Sequence, residues 1–179
     1  MQLNYFGALR LIMGFLPKMI EQKHGHIINI SSIGTQTNPP RFSAYVASKA
    51  ALDAFSRVIA SEVVDDNVHL TTIHMPLVRT PMIAPTRMYD MFPAITPEEA
   101  AEMIAKAMIR RPKKVATRLG TFGELMYAVA PKASDSILNT AYKLFPESQA
   151  AKGKKEEGRD KAPSTEAVAF AHLMKGVHW

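Results

Sequence analysis

Apolar side chains recur at spacings of three and four at Leu3, Phe6, Leu9, Met13, Leu16 and Ile20. That period predicts a helix over residues 1–22 with one buried stripe, stopped by Gly25. The pattern then changes. Residues 26–30, "HIINI", form a short isoleucine-rich run that reads as a strand buried on both faces, as in a parallel sheet. A loop with Gly34 and the Pro39-Pro40 pair follows. Residues 43–64 predict a second long helix, with Ala47, Ala50, Ala51, Ala54, Phe55, Val58 and Ile59 available for packing. Residues 68–75, "VHLTTIHM", predict the next strand. Pro76, Pro81, Pro85 and Pro93 then mark a long irregular segment.

Thr96 has the signature of a helix cap, with proline at the first helical position and Glu99 at the third. The helix it opens ends near Arg111-Pro112, and residues 114–119 predict a third strand. Residues 121–145 read as one or two apolar helices broken at Pro131. Alternating strands and helices imply an α/β fold: a doubly wound, Rossmann-like parallel sheet with helices on both faces, followed by C-terminal helices. The chain divides into an α/β domain over residues 1–148, a charged linker over 149–164 and a tail over 165–179 that could form a short docking helix.

Composition narrows the chemistry. The chain has 179 residues, 47% of them apolar, enough for one domain with a core. No apolar stretch approaches the roughly 18 residues that span a bilayer, and no signal peptide is evident. There is no cysteine, which removes disulfides, a thiol nucleophile and thiolate metal sites. The six histidines lack a zinc spacing, so no metal is expected. The net charge is +6, and residues 103–123 hold Lys106, Arg110, Arg111, Lys113, Lys114 and Arg118 with no acid among them. Such a patch attracts phosphates of a cofactor, a membrane surface or nucleic acid, or serves as a solvated helix end.

The candidate chemistry lies at Ser32, Tyr45 and Lys49. Positions i and i+4 share a helix face, so Lys49 sits one turn beyond Tyr45 and beside it. An ammonium favours phenolate over a phenol that ordinarily titrates near 10, which suits tyrosine for proton transfer. Ser32 stands at the carboxyl end of the first strand, where open parallel sheets bind ligands. A lone Tyr-x-x-x-Lys is a weak signal. A serine at a strand end, followed by that pair at the start of a long helix, is far more specific.

With "NISS", "YVASK" and "NYFG", the sequence resembles the short-chain dehydrogenase/reductase family. The resemblance implies that Ser32 polarises a substrate carbonyl, that Tyr45 donates the proton, and that Lys49 lowers the tyrosine pKa and holds the nicotinamide ribose. It implies that Asn4 fixes a water in the proton relay and that Val78 and Thr80, in "PLVRT", contact the nicotinamide carboxamide. Where the family usually has Pro-Gly, this chain has Met75-Pro76. The longer stretches "MQLNYFGALRL", "RFSAYVASKAALDAFSR" and "MPLVRTPMIAPT" are similar to the bacterial long-chain fatty acyl-CoA reductases of the family, which share the Met-Pro variant.

That similarity implies reduction of a fatty acyl-CoA to the aldehyde with NADPH as cofactor, in the cytoplasm or at a membrane, by a homo-oligomer meeting through the helices at 1–22 and 43–64. It implies no nucleic-acid partner. Met82, Ile83, Met88, Met91 and Phe92 would offer an acyl chain flexible apolar surface, or fill the core beneath a loop. Arg110, Arg111, Lys113 and Lys114 could meet CoA phosphates. Reduction of another carbonyl is the second reading, and a non-catalytic module carrying the basic patch is the third.

A dinucleotide site needs a glycine-rich turn, and none of the nine glycines makes one. In the family that turn precedes the serine by three or more strand–helix units, about 30 residues each. The expectation is therefore a C-terminal part of a reductase, with about 90 to 120 residues missing ahead of it.

Overall fold

The computed structural model describes residues 1–81, 83, 92–144, 165 and 168. Residues 2–7 wind as a π-helical turn, Gln2–Gly7, closed by the Phe6 N–H on the Met1 carbonyl at 3.2 Å. It runs into helix α1, Ala8–Glu21. A π turn holds more residues per turn than an α-helix, so the apolar face rotates across it. This corrects the stripe expected from a single α-helical period. Leu16 is buried as expected, but Leu3, Phe6 and Met13 are exposed and Ile12 is buried in their stead.

Strand β1, Gly25–Ser32, extends the expected "HIINI" run at both ends. A one-turn helix α2, Gly34–Thr37, leads to helix α3, Ser43–Glu62. Strand β2, Val68–Met75, and helix α4, Pro97–Arg110, match their predicted spans. The α4 start is a complete capping box, with Thr96 accepting from the Glu99 N–H and Glu99 accepting from the Thr96 N–H. Strand β3 is only Lys114–Val115, shorter than expected, because Thr117 accepts the Gly120 N–H and starts a helix instead. Helices α5, Arg118–Val129, and α6, Pro131–Leu144, are divided at Pro131 as the sequence predicts.

The three strands form a parallel sheet in the order β1-β2-β3, with β1 and β2 in register from Gly25↔Val68 to Ser32↔Met75. Leu16 of α1, Ala60 of α3, the adjoining Val63, and Val68 and Leu70 of β2 form a buried cluster on one face. Alternate residues such as Ile73, fully buried, point to the opposite face, where α4 meets β1 and β2. The buried side of α3 is not the alanine face proposed from sequence. It carries Ser48, Leu52, Asp53, Ser56 and Ala60, a mostly polar stripe. That stripe is satisfied locally: Ser56 donates to the Leu52 carbonyl at 2.7 Å and accepts from Asn29 at 2.6 Å.

Among the described residues β1 has one sheet neighbour, β2, and stands at the edge of the sheet. The Ile33 N–H donates to the Met75 carbonyl, and the Thr72 N–H to the Lys113 carbonyl. In a parallel ladder a residue's N–H and C=O point to the same side. Odd residues of β1 therefore bond β2, and the backbone groups of His26, Ile28 and Ile30 face the open edge.

Candidate active site

Ser32 ends β1, where its Oγ accepts the Gly34 N–H at 3.0 Å. Gly34 is required there by close approach. A Cβ at that position would lie 3.2 Å from Ser32 Oγ and 3.5 Å from Val46 Cγ2. Through Gly34 the end of β1 is thus held against the first turn of α3, next to Tyr45. Tyr45 is 42% exposed, open to a ligand from the solvent side.

Lys49, one turn along α3, donates from Nζ to the Ile30 carbonyl at 2.8 Å. It thereby caps an outward-facing carbonyl of the open edge, two residues before Ser32. Burial pushes the Lys49 pKa down, and the Asp53 carboxylate opposes this. Asn4 donates to Ser48 Oγ at 3.0 Å, and Ser48 Oγ donates to the Tyr45 carbonyl at 2.7 Å. The π-helical turn is thereby tied to the backbone of Tyr45. Asn4, Lys49, Ile28 and Ile30 also share the wall of a cavity of about 460 Å³ along the open edge of β1.

Val78 and Thr80 follow β2 in an extended segment. Val78 pairs with Ile95 in a parallel bridge that uses the Arg79 N–H and the Leu77 carbonyl, which leaves the backbone groups of Val78 turned away from it. Thr80 Oγ1 is buried with no hydrogen-bond partner. Met82, Met88 and Met91, expected over an acyl chain, lie outside the described residues, as do the linker and all of the C-terminal tail except Thr165 and Val168.

The basic stretch is spread along the sheet, with Arg111 near His26 and Lys114 near His74. Lys106 pairs with Glu102 at 2.7 Å, and Lys114 pairs with Glu124. Arg111 lies near enough to His26 to lower its pKa, after burial itself. His26 and Ser32 are at opposite ends of β1, about 20 Å apart at the rise of a strand. Arg111 is therefore at the wrong end of the sheet for a group bound at Ser32.

Sequence reasoning passed over a polar set behind the trio: half-buried Thr35 of α2 with buried Asp53 of α3 and His74 of β2. Its only trace in the sequence is a histidine in a strand and an acid four residues beyond Lys49. Among the described residues no group of His, Asp and Glu could hold a metal ion, and no helix is long and apolar enough to cross a membrane.

Residues 1–89 match the short chain dehydrogenase family. The chain is 51% identical over its whole length to a fatty acyl-CoA reductase of Acinetobacter baylyi, of which it covers 59%. It is 49% identical over 138 residues, 76% of the chain, to a fatty acyl-CoA reductase of Mycobacterium tuberculosis, of which it covers 44%. The chain thus spans about half the length of these two relatives. A short-chain dehydrogenase from Streptomyces avermitilis superposes with a TM-score of 0.59 at 26% identity, over 79% of this chain and 59% of that one. A short chain dehydrogenase from Burkholderia cenocepacia in complex with NADP has the same fold, with a TM-score of 0.64 at 23% identity over 80% of this chain and 56% of the other.

Proposed function

Because the chain belongs to the short-chain dehydrogenase/reductase family, we propose that Ser32, Tyr45 and Lys49 are the catalytic trio of an NADPH-dependent fatty acyl-CoA reductase that forms the aldehyde and releases CoA. One observation carries the proposal: Lys49 is anchored on the Ile30 carbonyl, one helical turn from Tyr45 and two residues from Ser32. The fatty acyl-CoA reductases of Acinetobacter and Mycobacterium supply the substrate class.

The residues present fit the nicotinamide end of a dinucleotide. The unpartnered Thr80 hydroxyl and the free backbone groups of Val78 suit a carboxamide, and the Lys49 ammonium, at the open edge of β1, suits ribose hydroxyls. A bound dinucleotide would supply a hydride to the thioester carbonyl carbon. Ser32 Oγ already accepts from Gly34, so its O–H is free to donate to the carbonyl oxygen. Tyr45 donates to the same oxygen as negative charge develops there, and preorganised donors at such a point are worth several kcal/mol. Lys49 stands one turn further along α3, with its ammonium at the end of β1. Collapse of the tetrahedral adduct releases the aldehyde, and the adduct's hydroxyl proton leaves with the sulfur, so CoA departs as the thiol. No acyl-enzyme forms, in keeping with the lack of cysteine. Asn4, tied to α3 through Ser48, is suited to hold a water that reprotonates Tyr45 by way of Lys49.

The test follows NADPH oxidation with a long-chain acyl-CoA while titrating free CoA thiol. Aldehyde and thiol formed in equal amounts support the proposal. Reduction of ketones without thiol release would move the enzyme to the wider carbonyl reductases of the family.

A further inference from the structure

His74 and Asp53 are both buried, where an ionisable group needs polar partners to offset its lost hydration. The partner of His74 leads to Ser32. The Thr35 hydroxyl carries a single proton and donates it to the Ser32 carbonyl at 2.9 Å. The 3.0 Å contact between Thr35 Oγ1 and His74 Nδ1 must therefore run the other way, with an Nδ1–H donating to the threonine oxygen. This fixes the neutral imidazole as its Nδ1-protonated tautomer. Asp53 Oδ2 stands 3.8 Å from the same nitrogen, too far for a hydrogen bond, and orients the N–H by charge alone.

We propose that Thr35 and His74 are positioning residues for Ser32: the His74 N–H locks the Thr35 rotamer, and the locked hydroxyl holds the Ser32 carbonyl so that the Ser32 side chain keeps its aim. Ser32 is then held twice, at its carbonyl by Thr35 and at its Oγ by the Gly34 N–H. Both anchors lie in residues 34–35, so α2 acts as a clamp on the strand end. The proposal rests on reading Ser32 as catalytic. Neither Thr35 nor His74 is assigned contact with substrate or cofactor.

The experiment combines long-range proton–nitrogen spectra of the histidine-labelled chain with steady-state kinetics. In the unaltered protein at about pH 7.5, above the ordinary histidine range, His74 should give the Nδ1–H pattern. Thr35→Val should convert it to the Nε2–H pattern, shift the Ser32 carbonyl resonance and lower kcat on the order of tenfold, the effect of one displaced hydrogen bond. The acyl-CoA KM and the NADPH Kd should stay within about twofold, since Ser32 acts mainly in the transition state. His74→Asn keeps an N–H donor at the same reach and should restore most of the rate, whereas His74→Leu should not. An Nε2–H tautomer in the unaltered protein, or equal rate losses in the Asn and Leu variants, would overturn the proposal. If a full-length reductase carrying these residues reduces no carbonyl, the catalytic reading of Ser32 fails. The tautomer and the Ser32 resonance then decide the clamp by themselves.

Discussion

The Lys49 ammonium caps the Ile30 carbonyl at 2.8 Å, so the helix that carries Tyr45 is fastened to the strand that ends in Ser32. Removing this link should act on two properties together. Lys49→Ala should lower both turnover and NADPH affinity. Tyr45→Phe should reduce turnover by at least about two orders of magnitude, the lower end of the range for a lost proton donor, while NADPH binds as before. Paired kinetics and calorimetry measure both. Turnover above a few per cent in Tyr45→Phe would assign the acid role to another group.

His74 gives a pH signature. Burial pushes its pKa down; Asp53 opposes this, Lys114 adds to it, and the Ser32 backbone and Glu124 oppose it. The unfolded chain takes up this proton near pH 6.5 and the folded chain only at lower pH. The unfolded state therefore binds more protons in that window, and stability should fall as pH drops from about 6.5 toward the folded pKa. Urea melts at about pH 7.5 and about pH 5.5 should show a larger stability loss in the unaltered protein than in His74→Asn. Equal losses would mean that His74 titrates normally.

Two backbone positions should separate steric from capping effects. A Cβ on Gly120 would collide with the side chain of Gln36, which is itself buried. Gly120→Ala should therefore destabilise the chain although it sits in a helix, where alanine is ordinarily favoured. Thr96→Ala removes only the α4 cap and should cost about 1 kcal/mol. Denaturant midpoints check both, and a stabilised Gly120→Ala would contradict the packing of α5 on α2.

The open edge of β1 should show in hydrogen exchange. Amides of Ile27, Asn29 and Ser31 bond β2, while those of His26, Ile28 and Ile30 face outward. The first three should exchange more slowly, in an alternating pattern. Uniform protection along β1 would mean that a further strand covers it.

Val58 on α3 is 57% exposed, on one of the two helices through which we propose that subunits meet. Val58→Glu should shift the protein toward monomer in sedimentation, by placing a charge in an apolar contact. An unchanged sedimentation coefficient would remove α3 from the interface.

Short-range chemistry was legible in the sequence. The Thr96 capping signature, the helix break at Pro131, the strand at 68–75 and the Tyr45–Lys49 spacing all depend on residues within a turn or two of each other, and all stand in the structure. The catalytic candidates could be named because their spacing is itself a local property. The tertiary structure decided the rest. Which face of α3 is buried depended on the polar partners that β1 brings to Ser56, and the buried face of α1 on the π turn ahead of it. The third strand stopped early because Thr117 found a helix N–H to accept. Thr35 and His74 stand 39 residues apart, and no periodicity links them. They meet because β2 lies beside β1 in a parallel register, and burial there leaves a histidine no water to bond.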